Sequence, residues 1–177
     1  MKPLTATTYR SLEEIGSTTW QAYFDQCEPF LSWPFLRGLE SSGCTTAQSG
    51  WQPAHIGFEQ DDALLGLVPA YLKTHSYGEY VFDWSWADAW QRMGLDYYPK
   101  LVTAIPFTPA TGQRFGYDPQ ANQNLERMAV GMQALCTQLN VSSWHVLFIG
   151  ATESAQLSQC GMPQRLPPQF HWFNREY

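Results

Sequence analysis

Apolar residues recur at helical spacing in three stretches: Trp20, Tyr23, Phe24 and Cys27; Phe35, Leu36 and Leu39; and Leu125, Met128, Ala129, Met132 with Leu135 or Cys136. Ser17 offers an N-cap to the first and Pro29 ends it, while Ser32, with Pro34 in the first turn, opens the second and Gly43 stops it. Elsewhere the period shortens. A strand is expected at Thr7–Ser11, and the runs WQPAHIGFE and ALLGLVPAYLKTH, joined by Gln60, Asp61 and Asp62, read as a hairpin. Pro69 has no amide donor, so it marks a bulge or an edge. Leu101–Ile105 reads as a buried strand stopped by Pro106 and Pro109, and SWHVLFIG as a second. TESAQLSQCG predicts a short helix ended by Gly161, and QRLPPQFHWFNREY reads as strand again. The order describes a mixed α/β fold, expected as a single domain over residues 1–177.

The stretch SYGEYVFDWSWADAW, Ser76 to Trp90, interrupts that order. It holds six aromatic rings and three carboxylates, which makes it either packed scaffold with solvated acids or the wall of a site. If the chain stays extended, Tyr77, Glu79, Val81 and Asp83 alternate with Gly78, Tyr80, Phe82 and Trp84, and the two acids share a face. From Ser85 to Met93 the pattern turns helical. The balance of readings is scaffold with a polar rim turned to a cleft.

Composition narrows the partners. With 44% hydrophobic and 15% charged residues the chain is globular, not disordered. A formal charge of -6, with ten Lys and Arg that form no run, argues against a nonspecific grip on DNA. The N-terminus lacks the apolar core of a signal segment, and no apolar run approaches the ~18 residues of a membrane span. A cytoplasmic location is expected. Cys27, Cys44, Cys136 and Cys160 form no CxxC pair, and His55, His75, His145 and His171 are as scattered, so no metal site is expected.

The element order resembles the GNAT acyltransferase fold, a three-layer α/β/α arrangement. The blocks AYLKTHSYGEYVFDWSWADAW, GLDYYPKLVTAIPFTPATG, SWHVLF and QFHWFNREY are similar to signature blocks of the FemAB-like bacterial family, described as peptidoglycan biosynthesis or recognition proteins of the GNAT superfamily. The resemblance runs from about Phe30 to Tyr177. It implies transfer of an acyl or aminoacyl group, from acyl-CoA or aminoacyl-tRNA, to the amine of a small molecule or peptidoglycan precursor. Members of the family look about twice as long, so the chain corresponds to an N-terminal half. The implied partners are a C-terminal half or a second copy. A noncatalytic recognition or structural half-domain is the alternative reading.

The same resemblance assigns places. In the GNAT layout the carrier lies where two neighbouring strands splay apart, here Leu101–Ile105 and Trp144–Ile149. The pyrophosphate loop then falls between Phe107 and Asn124, where Thr108, Thr111, Gly112, Gln113 and Arg114 offer amides, hydroxyls and one cation. QRFGYD departs there from the tighter Arg/Gln-x-x-Gly-x-Gly/Ala pattern of GNAT acetyltransferases. Glu79 and Asp83 are the candidate base or amine-orienting pair, since aromatic neighbours raise a carboxyl's pKa by desolvation. Lys100 and Arg114 suit an anionic carrier or precursor phosphate, and Tyr77, Tyr80, Tyr97 and Tyr98 suit stacking on a substrate.

Overall fold

The computed structural model describes residues 4–24, 29–118, 124–166 and 172–175. In chain order the elements are β1 (Thr5–Tyr9), α1 (Leu12–Ile15), α2 (Ser17–Phe24), α3 (Trp33–Ser41), β2 (Gln52–Pro53), β3 (His55–Gln60), β4 (Ala63–Val68) and β5 (Tyr71–Lys73). Then come α4 (Trp84–Arg92), β6 (Lys100–Thr103), β7 (Gly116–Tyr117), α5 (Asn124–Gln138), β8 (Trp144–Val146) and α6 (Ala151–Gln159). One sheet has the order β1-β3-β4-β7 and the other β2-β5-β6-β8.

The predicted hairpin passes through both sheets. Ile56 pairs with Val68 in the first and Pro53 with Tyr71 in the second. Pro69 stands at the crossing, where its missing donor interrupts the ladder, and the Ala54 N–H donates across the break to Ala70 O at 2.9 Å. The pieces are therefore two halves of one bent surface.

Helices cover both faces. Leu67 packs with Trp20, Phe24 and Leu36 from α2 and α3, whereas Val68, next along the strand and pointing the other way, joins Leu125, Met128 and Met132 of α5. Glycine lets α5 lie close. A Cβ on Gly66 would stand 2.6 Å from the Met128 sulfur, and one on Gly131 2.5 Å from Phe58 Cε1.

Three expectations are corrected. The segment from Tyr77 to Trp84 is coiled instead of extended, because Gly78, Tyr80 and Phe82 take positive φ values of 79°, 59° and 50°. Residues 162–166 and 172–175 carry no strand; Pro163 removes a donor there, and the rest of QRLPPQFHWFNREY lies outside the described residues, as do Cys27 and His171. The strands at Leu101–Ile105 and Trp144–Ile149 do not splay at their start, where the slot was expected to open. They pair in parallel as Leu101↔Trp144, Val102↔His145 and Thr103↔Val146, and Leu147 N–H donates to Thr103 O at 3.0 Å. Residues 104–111 then swing out of the ladder, and Gly112 returns to bridge Ile149.

Candidate active site

Beyond that bridge the two chains part. Residues 113–117 run on to place β7 against β4, with Gly116 opposite Leu67, while the other chain enters α6 with Gly150 as N-cap. Between them opens a cleft of about 460 Å³ lined by Gln113, Tyr117 and Gly150 to Glu153. The position is set by short-range chemistry: Gly112 N–H donates to Phe148 O at 3.0 Å and Gly150 N–H to Gly112 O at 2.9 Å, which fixes the point of divergence. Phe148 reaches its place in the left-handed region, at φ 51°.

Arg114 fills the space where the slot was expected. Its side chain is fully buried; Nε donates to Leu147 O at 3.0 Å, and the terminal nitrogens donate to Gln113 O at 2.7 Å and to Ala110 O. These donors tie the outward loop back to the sheet. Glu153, 7% exposed, accepts the Arg114 N–H on Oε2 at 2.9 Å and the Phe115 N–H on Oε1 at 3.0 Å, stapling the first turn of α6 to the strand edge.

A second polar cluster lies at the other end of β6. Lys73 and Lys100 are directly opposed across β5 and β6, and both are fully buried. Like charges so placed repel, so the fold must answer them. The coiled segment does so. Lys100 Nζ donates to Asp83 Oδ2 at 2.6 Å, Glu79 Oε2 at 2.8 Å and Ser76 Oγ at 2.9 Å, which uses all three of its hydrogens. The Tyr97 hydroxyl adds a 2.6 Å bond to Asp83 Oδ2, and Ser76 meets the Tyr98 hydroxyl at 2.7 Å. Lys73 Nζ donates to Tyr77 O at 3.1 Å and sits 3.8 Å from the Trp51 ring centroid.

Charge is shared unequally in this cluster. Burial pushes both carboxyls up, but at Asp83 the Lys100, Ser76 and Tyr97 donors outweigh it and hold the group down at about 2. At Glu79 burial prevails over Lys100 and the pKa is raised. Burial lowers Lys73 to about 7, and burial with the nearby Lys100 charge lowers His145 to about 4. Glu79 Oε1 and Asp83 Oδ1 are buried without a hydrogen-bond partner among the described residues. Asp83 also stands at the N-cap of α4, yet its side chain makes no cap bond because it faces Lys100.

The FemAB-like family pattern, described as peptidoglycan biosynthesis/recognition, matches residues 11–177. The chain belongs to the FemAB-like family. No curated protein sequence matches this FemAB-like chain. Among solved structures it is similar to the aminoglycoside N-acetyltransferase AAC(6')-Iy in complex with CoA, at 12% identity and TM-score 0.51, over 97% of this chain and 95% of that one. A second structure of AAC(6')-Iy, in complex with the bisubstrate analogue CoA-S-monomethyl-acetylneamine, matches at 11% identity and TM-score 0.53, over 98% and 99% of the two chains. The FemAB-like chain thus has the GNAT fold, with parallel strands that pair and then part.

The expected residues sort onto this geometry unevenly. Glu79, Asp83, Lys100 and Tyr98 come together, by turns and not by strand alternation, whereas Tyr77 and Tyr80 are exposed beside them. Gln113 lines the cleft; Gly112 forms its apex; Thr108 donates to Pro106 O in the outward loop that also carries Thr111; and the Arg114 guanidinium faces carbonyls. Of the stretch between Phe107 and Asn124, where a pyrophosphate loop was expected, residues 119–123 lie outside the described residues. Lys73, Ser76 and Glu153 were not foreseen. The signal for Lys73 was a lysine inside an apolar strand; for Glu153 it was a first-turn acid next to a strand end. Among the described residues no helix is long and apolar enough to cross a membrane, and no group of three His, Cys, Asp or Glu is placed to hold a metal ion.

Proposed function

We propose that this FemAB-like domain is an N-acyltransferase that uses acyl-CoA to acylate an amine. The observation that carries the reading is the cleft at the parting of the Gly112 and Gly150 chains. Its walls suit a narrow amide-bearing arm: backbone at Gly150 and the first turn of α6 on one side, the Gln113 amide and the Tyr117 ring on the other. A bound thioester supplies an activated acyl carbon, and the chain's own part is to hold that arm, orient the amine and take its proton. The charge of -6 favours acyl-CoA over a tRNA-borne donor, whose phosphates need a basic surface. The family description supports a cell-wall precursor as acceptor, and a cytoplasmic site of action accords with that.

In this reading Glu79, Asp83 and Lys100 act through position. Leu101, next to Lys100, pairs with Trp144, six positions before Gly150 at the cleft, a span of at most about 20 Å. Glu79, Asp83 and Lys100 clamp the coiled segment to β6, the strand whose continuation forms one wall. Calorimetry with CoA tests the proposal: binding in the micromolar to millimolar range is expected, and no heat at millimolar CoA overturns it.

A second reading, noncatalytic recognition, is favoured by the aromatic side chains left exposed around the coiled segment, chiefly Tyr77, Phe82 and Trp86. Retained CoA binding together with turnover of any amine would remove it.

A further inference from the structure

One residue of the cleft lining, Glu153, carries a carboxyl whose two oxygens also serve the fold. Glu153 is held at the strand edge by two successive amides, those of Arg114 and Phe115, one on each oxygen. An ionised carboxylate has further lone pairs, so each oxygen keeps acceptor capacity after these bonds. Glu153 is one of the residues that line the opening with Gln113, Tyr117 and Gly150. The acids of the Lys100 cluster each give one oxygen to its ammonium and are not among the residues that line this opening.

The surroundings leave Glu153 poised to exchange a proton. Burial pushes its carboxyl up to about 7, against the lowering effect of the two backbone donors and of Arg114. The groups facing it from the strand are Arg114, whose guanidinium serves the Leu147, Gln113 and Ala110 carbonyls, and Tyr117, whose hydroxyl donates to Gln156 at 3.2 Å. A carboxyl that changes state near neutrality matches the demand on a general base at ordinary pH.

We infer that Glu153 is the catalytic base of this cleft, taking a proton from a primary amine of the acceptor. The inference rests on the acyltransferase reading above. A primary ammonium gives one proton to the Glu153 carboxylate and becomes the nucleophile. Its nitrogen then forms the bond to the thioester carbonyl carbon as the carbon–sulfur bond breaks. The second nitrogen proton leaves with the thiolate as free thiol, and Glu153 returns its proton to solvent, so the sum is amide, thiol and one proton.

The test reads the carboxyl directly. Protein labelled with 13C at the Glu side-chain carboxyls is titrated by NMR, and the Glu153 signal is assigned by its loss in Glu153→Gln, or in Glu153→Asp if the first variant does not fold. Expected is a midpoint near 7, displaced downward by about half a unit or more when glucosamine is added as the amine probe, since a bound cation favours the ionised form. A purely structural staple gives a different result: a midpoint in the ordinary carboxylate range near 4.3, or one that the amine does not move, and either overturns the inference. CoA calorimetry on the same sample keeps the two ideas apart. Loss of CoA binding with Glu153 still responding to amine sinks the acyl-CoA reading alone, whereas CoA binding with an unresponsive Glu153 sinks only this assignment.

Discussion

Lys100 Nζ and Asp83 Oδ2 stand 2.6 Å apart, with the lysine side chain wholly buried and the aspartate side chain 6% exposed. Removing one partner of such a pair leaves the other charged and unpaired in the interior, which costs about 3–5 kcal/mol. Lys100→Met is therefore expected to lower the urea midpoint sharply, by about 3–5 kcal/mol of unfolding free energy. Adding Glu79→Gln and Asp83→Asn to that variant removes the stranded charges and is expected to restore much of the loss. A Lys100→Met protein as stable as the parent would show that the cluster contributes little.

The elements that the sequence predicted well are those whose pattern is local. The α2, α3 and α5 stripes, the hairpin and its interruption at Pro69 all follow from residues within a few positions of one another. The Lys100 cluster was half legible. Glu79 and Asp83 were picked out correctly as neighbours, but for the wrong backbone, because positive φ at non-glycine residues such as Tyr80 and Phe82 is not announced by the residue types there. The cleft was misplaced for a similar reason. Nothing within Leu101–Ile105 announces that the chain will loop out at 104–111 and return at Gly112, since the return depends on Phe148 and on carbonyls that hold Arg114. Glu153 was invisible as a site residue because its amide partners are 38 and 39 positions away in sequence.

The lowered pKa of Lys73 carries a definite pH signature. Its folded value of about 7 lies below the ordinary 10.5, so between those limits the unfolded chain binds more protons than the folded one. Stability from this group is thus complete only above the ordinary lysine range and is lost as pH falls toward 7. Unfolding free energy is expected to rise from pH 7 to about 8.5, a window chosen below the cysteine and tyrosine titrations, with a slope bounded by ~1.4 kcal/mol per pH unit. Denaturation midpoints across that window should flatten in Lys73→Met. An equal slope in parent and variant would assign it elsewhere.

Gly131 tests the approach of α5 to the sheet. Alanine there gains about 1 kcal/mol of helix propensity but brings a Cβ to 2.5 Å from Phe58 Cε1, and Phe58 is fully buried. Overpacking of this kind costs about 1–3 kcal/mol, so the substitution is expected to be destabilising on balance. The check is a double substitution. Gly131→Ala with Phe58→Leu should recover more stability than the two separate effects predict, because the smaller side chain relieves the clash; simple additivity would mean that the helix had shifted instead.

The cleft itself is the most direct target. Ala151 is exposed at the first position of α6 and lines the opening, so a large side chain can be placed there without entering the core. Ala151→Trp puts an indole into a space of about 460 Å³ while leaving the Gly112–Gly150 bonds and the Glu153 staple in place. Surface substitutions away from buried features change stability by about 0.5 kcal/mol or less, so the thermal midpoint should stay close to the parent's. CoA affinity should fall at least tenfold, equal to about 1.4 kcal/mol. The contrast with Lys100→Met is what gives the measurement its force: one variant loses stability at a distance from the cleft, the other loses ligand without losing stability. If Ala151→Trp binds CoA as tightly as the parent, the carrier lies elsewhere, and the parting of the two chains at Gly112 and Gly150 is a feature of the fold alone.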